Sequence, residues 1–290
     1  MSHLRIALPL VALTLAVGAC GSSNSKSGSN AATTPPATTT ASDSCAKSSL
    51  SLTSAGKLTI ATDKPAYPPY FENNDPTNGK GFESAVAYAI AKQLGFSPSE
   101  VTWRTVPFNS SYAPGPKQFD FDVNQISINP ARAKRVDFST PYYTAAQALV
   151  VPKGSTLSPT SLADLKDASL GVQIGTTSLD AVNQLISPSK QPQVYNDSND
   201  VVSALKQGRI DGVVVDLPTA FYITAAQVDG SKIAGQFDAP GGDAWGALLQ
   251  KDSKLTPCVD KAIGTLKSSG ELDRITQKWM SAAAGAPKLG

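Results

Sequence analysis

Histidine is nearly absent from this 290-residue chain, occurring once, as His3. That scarcity removes Ser-His-Asp and Cys-His nucleophilic sites and any histidine-ligated metal from the globular part. An excess of one charge sign is missing too. The 25 basic and 23 acidic residues give a formal net charge of +2 and form no long run of either sign, whereas a nucleic-acid binder concentrates a basic stripe. No apolar run approaches the ~20 residues of a membrane-spanning helix. There is no dinucleotide glycine motif, no phosphate-binding loop and no repeat with a period of roughly 20–50 residues. Neither a metal, a cofactor nor a nucleic-acid partner is therefore expected. Cysteine is sparse as well: Cys20, Cys45 and Cys258 are all there is.

What is present begins with an address. Met1 to Arg5 carries one basic residue, and Ile6 to Val17 is a mostly apolar run of twelve. It is too short to span a bilayer as a helix but fits the core of a secretion signal. The run ends in Val17-Gly18-Ala19-Cys20, which resembles a bacterial lipobox. Residues 1–19 then read as a lipoprotein signal peptide, with Cys20 carrying the lipid (palmitate among its acyl groups). Gly21 to Ser44 is Ser, Thr, Ala, Gly and Pro with almost no large apolar side chain. Such a segment cannot offset its ordering entropy, so residues 20–44 are expected to form a disordered tether. A flexible coil of that length reaches roughly 25–30 Å. With Cys20 lipidated, Cys45 and Cys258 remain as an even pair in an oxidising compartment, and the expectation is a bridge between them rather than two buried free thiols.

The rest alternates strands and helices. Leu58 to Thr62 reads as a buried strand. Phe82 to Leu94 reads as a helix, with Phe82, Val86, Ile90 and Leu94 four apart and Gly95 as its stop. Strands are expected near Val101 to Val106, Val123 to Ile128, Leu170 to Ile174, Gly212 to Val215 and Leu248 to Gln250. Helices are expected at Thr177 to Ile186, at Val201 to Lys206 capped from Ser198 or Asn199, and at 257–267 and 271–280, the former capped by Thr256. The alternation argues an α/β fold with mainly parallel sheets, whose ligand sites lie beyond strand carboxyl ends.

Six stretches carry a resemblance: GKLTIATDKPAYPPYFE (56–72), GFESAVAYAIAKQLGF (81–96), ISINPARAKRVDFSTPYY (126–143), LGVQIGTTSLD (170–180), ALKQGRIDGVVVD (204–216) and WGALLQKDSKLTPCVDKAIGTLKSSGELDRITQKWM (245–280). In order and spacing they resemble the extracytoplasmic solute-binding proteins of polar amino-acid ABC importers, solute-binding family 3. The resemblance implies a two-lobe, type II periplasmic-binding-protein-like fold. Lobe 1 would hold 45–144 and 243–290 and lobe 2 would hold 145–242. Two strands would cross between them near Tyr143–Ala146 and Gly241–Trp245, with the ligand closing in the cleft. It further implies a lipid-anchored monomer on the outer face of the cytoplasmic membrane that binds a polar L-amino acid, delivers it to an ABC permease and catalyses nothing.

A free amino acid presents a carboxylate and an ammonium, and a closing cleft must compensate both. The resemblance puts Arg132 at the carboxylate clamp, with Ser127 five residues earlier, and a guanidinium can grip a carboxylate bidentately. Thr176 and Thr177 follow Gly175 where a strand turns into a helix, so N–H groups and hydroxyls can meet the same carboxylate. Asp216, at the end of a strand, takes the ammonium position. Tyr67 and Phe108 take the aromatic positions flanking the ligand's side chain, and Asp63 a position that reads it. Taken singly, each has an ordinary alternative: a solvated arginine, a cap, a turn aspartate, a core ring. Three departures bear on ligand identity. Lys64 lengthens the segment before Tyr67, Pro114-Gly115-Pro116 breaks the helix expected after Phe108, and the amides Asn124 and Gln125 stand where small residues are usual. With Asp63, Tyr67, Phe108, Asn124 and Gln125 left for the side chain, and Lys64 as the one nearby cation, a neutral polar or basic ligand is expected over an acidic one. Two alternatives remain open on sequence: a cleft enzyme of the cyclohexadienyl dehydratase type, and an amino-acid sensor acting through a receptor partner.

Overall fold

Two sheets organise the chain, each with a wholly buried inner strand (Leu58–Thr62 in the first, Gln147–Val151 in the second) and more exposed edges. The computed structural model describes residues 44–281 and 286–289; the signal peptide, Cys20 and nearly all of the tether lie outside the described residues. The first sheet contains β1 (Leu58–Thr62), β2 (Val101–Thr105), β3 (Phe121–Asp122), β4 (Val136–Phe138) and β12 (Leu248–Gln250), in the order β2-β1-β3-β12-β4. The second contains β6 (Gln147–Val151), β7 (Leu170–Gln173), β8 (Gln193–Tyr195), β9 (Gly212–Asp216) and β10 (Lys232–Phe237), in the order β10-β6-β9-β7-β8. Between them, β5 (Tyr143–Thr144) pairs antiparallel with β11 (Ala244–Trp245). These are the two crossing strands of a two-lobe, type II arrangement.

The sheets are mixed rather than mainly parallel. β1 is parallel to β2 and β3, and β7 to β8 and β9. The strands nearest the crossings run the other way: β12 against β3 and β4, and β6 against β9 and β10. Those strands enter directly from a crossing or a short connection, without the crossover helix that a parallel neighbour requires.

Helix α1 (Phe82–Gln93) buries Phe82, Val86 and Ile90 against the first sheet, as the four-residue spacing requires. Its entry depends on Gly81 at φ 95°, where a Cβ would collide with the Tyr70 carbonyl and the Phe71 backbone. Helices α7 (Thr256–Ser268) and α8 (Glu271–Met280) complete that layer, and Cys258 on α7 is bonded to Cys45. Around the second sheet lie α4 (Thr177–Ala181), continued by a π turn over Val182–Ile186, then α5 (Ser198–Lys206) and α6 (Leu217–Tyr222). The short helices α2 (Phe108–Ser111) and α3 (Pro130–Ala133) face the second lobe from the first.

Four local expectations are corrected. Residues 123–128 form no strand; the sheet stops at Asp122, and Gln125 turns the chain at φ 49° because Glu83 captures its backbone N–H and side-chain amide. Helix α5 is capped by Asp197, whose Oδ1 accepts from the Asp200 N–H at 2.9 Å, and Ser198 is already helical. Helix α7 begins at Thr256 itself, after Leu255, and the Thr256 hydroxyl points to Asp137 (3.4 Å). Finally, the C-terminal tail ends on the second sheet, not with lobe 1. The Gln236 N–H donates to Pro287 O and the Leu289 N–H to Gln236 O, and Leu289 fills the space that Gly235 leaves empty on β10.

Candidate functional site

The carboxyl ends of β7 and β9 and the connections leaving β1 and β3 meet around one cavity of about 90 Å³. Eight of the sequence-predicted residues line it: Asp63, Tyr67, Phe108, Gln125, Ser127, Thr176, Thr177 and Asp216. Asn124 and Lys64 line it too.

On the first-lobe side, Asp63 follows β1. Its two carboxylate oxygens accept from the Lys64 N–H (2.7 Å) and the Phe108 N–H (3.0 Å), which fixes α2 against the strand end. Burial raises the Asp63 carboxyl above its ordinary range; the two N–H donors counter this, and Asp197 across the cavity adds to it. Tyr67 stacks on Tyr222 of α6, with ring centroids 5.6 Å apart. Gln125 presents little amide to the cavity because Glu83 holds it. Glu83 is wholly buried, also accepts from the Tyr142 hydroxyl at 2.5 Å, and burial pushes its carboxyl up to about 7. The Asn124 Nδ2 is buried without a hydrogen-bond partner.

Arg132 behaves differently from the expectation. It is only 5% exposed and sits at the seam between the lobes, beside the cavity. Asn129 caps α3 by accepting from the Arg132 N–H, which orients the side chain inward. The guanidinium donates to Ser127 O and, across the cleft, to Gly175 O, both at 2.7 Å, and lies over the rings of Phe108 and Tyr112. No carboxylate among the described residues pairs with it. It is a buried cation held by carbonyls and ring faces.

On the second-lobe side, Thr176 caps α4 and spends its hydroxyl locally, donating to Gln173 O and accepting from the Leu179 N–H. Thr177 projects its hydroxyl toward Ser127 (3.4 Å) and Asp243 (3.2 Å). Asp216 ends β9. Its Oδ1 accepts from Gln147 Nε2 at 2.7 Å, and burial, then the nearby Asp243, push its carboxyl well above the ordinary range.

Sequence reasoning missed Gln147, Ser178, Asp197 and Asp243. Only a Gln at the start of a buried strand and an Asp beside a crossing strand could have hinted at two of them. Gln147 is central. Its Nε2 donates to both Asp216 and Asp243, and its Oε1 accepts from Ser178 Oγ at 2.6 Å. Among the described residues no group of His, Cys, Asp and Glu is arranged to hold a metal ion, and no helix is long and apolar enough to cross a membrane.

Two α/β lobes around a polar cavity, with crossing strands between them, define a two-lobed binding protein. Residues 58–282 match the bacterial extracellular solute-binding proteins, family 3, and the chain belongs to that family. It is 30% identical over 287 residues to the arginine-binding extracellular protein ArtP of Bacillus subtilis (strain 168), covering 97% of this chain and 99% of that one. An ancestral arginine-binding protein solved with glutamine bound is 32% identical, with a TM-score of 0.67 over 78% of this chain and 98% of that one. The ancestral amino acid-binding protein AncCDT-1, a precursor of cyclohexadienyl dehydratase, is 27% identical, with a TM-score of 0.64 over 77% of this chain and 95% of that one. The chain is thus an extracytoplasmic solute-binding protein.

Proposed function

We propose that the protein binds a polar L-amino acid, neutral or basic, and delivers it to an ABC permease from the outer face of the cytoplasmic membrane, held there by a lipid on Cys20. One observation carries the ligand class. A buried guanidinium without a carboxylate partner among the described residues (Arg132) sits at the seam between the lobes, and a half-buried carboxylate, Asp216, lines the cavity from the second lobe. A cation and a carboxyl group on the two lobes of one cleft suit the two charged ends of an amino-acid zwitterion. The lining adds Asp63 and Asp197 against a single cation, Lys64, which favours a neutral or basic side chain over an acidic one. Relatives named for arginine, one of them solved with glutamine, agree with that preference. The lipid anchor rests on the lipobox-like Val17-Gly18-Ala19-Cys20, and the lobe division at 45–144 with 243–290 and at 145–242 is part of the same proposal, save for the tail described above.

A thermal-shift screen of the twenty amino acids tests this, since a ligand at about 100 times its Kd adds roughly 2.7 kcal/mol. Glutamine, histidine, lysine or arginine should shift the transition most. Glutamate or aspartate outcompeting all of them would overturn the ligand class and point to Lys64 as the partner of the extra carboxylate.

A second reading, a dehydratase-type cleft enzyme, has one feature in its favour: the Asp216 carboxyl holds its proton more tightly than usual and could donate it to a leaving hydroxyl. Turnover of prephenate or arogenate would establish it. An ammonium bound beside Asp216 acts in the opposite direction, so the binding reading is preferred.

A further inference from the structure

Asp243 has no place in the site as the sequence describes it, yet much of the second-lobe wall converges on it. It lies just before the crossing strand β11 and is 1% exposed. Its Oδ2 accepts from Gln147 Nε2 at 2.6 Å and from Thr177 Oγ1 at 3.2 Å, and its Oδ1 accepts from Trp245 Nε1 at 3.2 Å. Gln147, wholly buried on β6, gives its other amide hydrogen to Asp216 and receives Ser178 on its oxygen, so its orientation admits no alternative. Because the Thr177 hydrogen goes to Asp243, Ser127 is the donor in the Ser127–Thr177 contact. Two lining residues, Thr177 and Asp216, are therefore held in place from one carboxylate anchored on the crossing strand.

We propose that Asp243 is a positioning residue of the ligand site: through Gln147 and Thr177 it sets the geometry of the second-lobe contacts, and from its place beside Asp216 it couples the ionisation of that carboxyl to the entry of a ligand ammonium. This rests on the amino-acid-binding reading above. The proton balance is simple. Where the Asp216 carboxyl is protonated before binding, it gives that proton to solvent, the carboxylate left behind accepts N–H bonds from the ammonium, and no other bond changes. The charged and titratable groups facing Asp216 are Asp243 and Arg132, with the phenols of Tyr67, Tyr70 and Tyr143 around them. The phenols stay neutral, since burial raises all three. Arg132 favours the ionised carboxyl but ranks behind burial and Asp243.

The test is calorimetry of L-arginine and of L-glutamine binding to the purified protein at a series of pH values, in buffers of differing ionisation enthalpy, for wild type, Asp243→Asn, Asp243→Glu and Asp243→Ala. Wild type should release protons on binding and tighten as pH rises. Asp243→Asn should release fewer protons and show a flatter affinity profile, Asp243→Glu should restore the release, and Asp243→Ala should bind about tenfold more weakly or worse. A wild-type proton count and affinity in Asp243→Asn would overturn the proposal. So would an absence of proton exchange in wild type, a result that needs no variant to fold. If wild type binds none of the twenty amino acids, the binding reading itself falls, and this inference with it.

Discussion

On the second-lobe wall of the cleft, Thr176, Thr177 and Asp216 stand at strand-to-helix junctions, where regular elements fix the backbone and the side chains only complete a cap or a strand end. The first-lobe wall is made otherwise. Asn124, Gln125 and Ser127 lie on a stretch without regular structure, and its course is set by Glu83 gripping Gln125 from α1. Arg132 belongs to a helix of a single turn. One wall thus takes its backbone from regular elements, with Gln147 and Asp243 fixing its side chains, while the other takes even its backbone course from a buried polar group. The second kind of support is more fragile, because a buried polar group that loses its partner keeps its full desolvation cost.

Predictions that probe this difference run from large to small. Serine at Cys45 and Cys258 should cost stability by up to about 5 kcal/mol, the loop-entropy figure for a closure of this length. It should leave ligand affinity nearly unchanged, since neither cysteine lines the cavity; reducing-condition melts alongside calorimetry would show whether the two effects separate. Arg132→Ala should weaken amino-acid binding by about 3–5 kcal/mol while circular dichroism stays native. An affinity within a few-fold of wild type would remove Arg132 from the site.

Glu83 supplies the third prediction. Burial raises its pKa to about 7, above the unfolded value. Its contribution to stability is therefore complete below the unfolded pKa and is lost as pH rises through about 7. The stability of wild type relative to Glu83→Gln should decline by about 3 kcal/mol across that window in urea titrations at a series of pH values. A difference independent of pH would mean that Glu83 is not buried as described. The smallest effect concerns the two caps. Asn129→Ala and Asp197→Ala should each cost about 1 kcal/mol of stability. Asn129→Ala should also weaken the binding of every amino acid, because Arg132 hangs from the turn that Asn129 caps, whereas Asp197→Ala should weaken basic ligands alone, Asp197 being a lining carboxylate. Equal effects on binding would erase the contrast between the walls.

The same contrast governs what could be read in advance. Hydrophobic spacing revealed α1, β1, β7 and β9, since burial imposes that spacing directly, and the second-lobe residues were legible as the ends of those elements. Their supports were not. Gln147 donates to Asp243 across a sequence separation of 96, and no local pattern encodes such a pair. The stretch 123–128 misled because its β-branched residues, Val123, Ile126 and Ile128, favour a strand. In the fold Val123 and Ile126 are buried by a turn instead, with Gln125 at positive φ. Asp197 was passed over as a cap because three capping residues stand in a row (Asp197, Ser198, Asn199), and propensity alone does not rank them.

The central claim is that the cleft holds a zwitterion by both of its charges, and the most direct test varies the ligand rather than the protein. Calorimetry would compare L-arginine and L-glutamine with their decarboxylated and deaminated analogues, each lacking one charge. Losing either group should weaken binding by about a hundredfold or more, because Arg132 or Asp216 would then face the closed cleft uncompensated. An analogue lacking the carboxylate or the ammonium that binds within a few-fold of its parent amino acid would contradict the account.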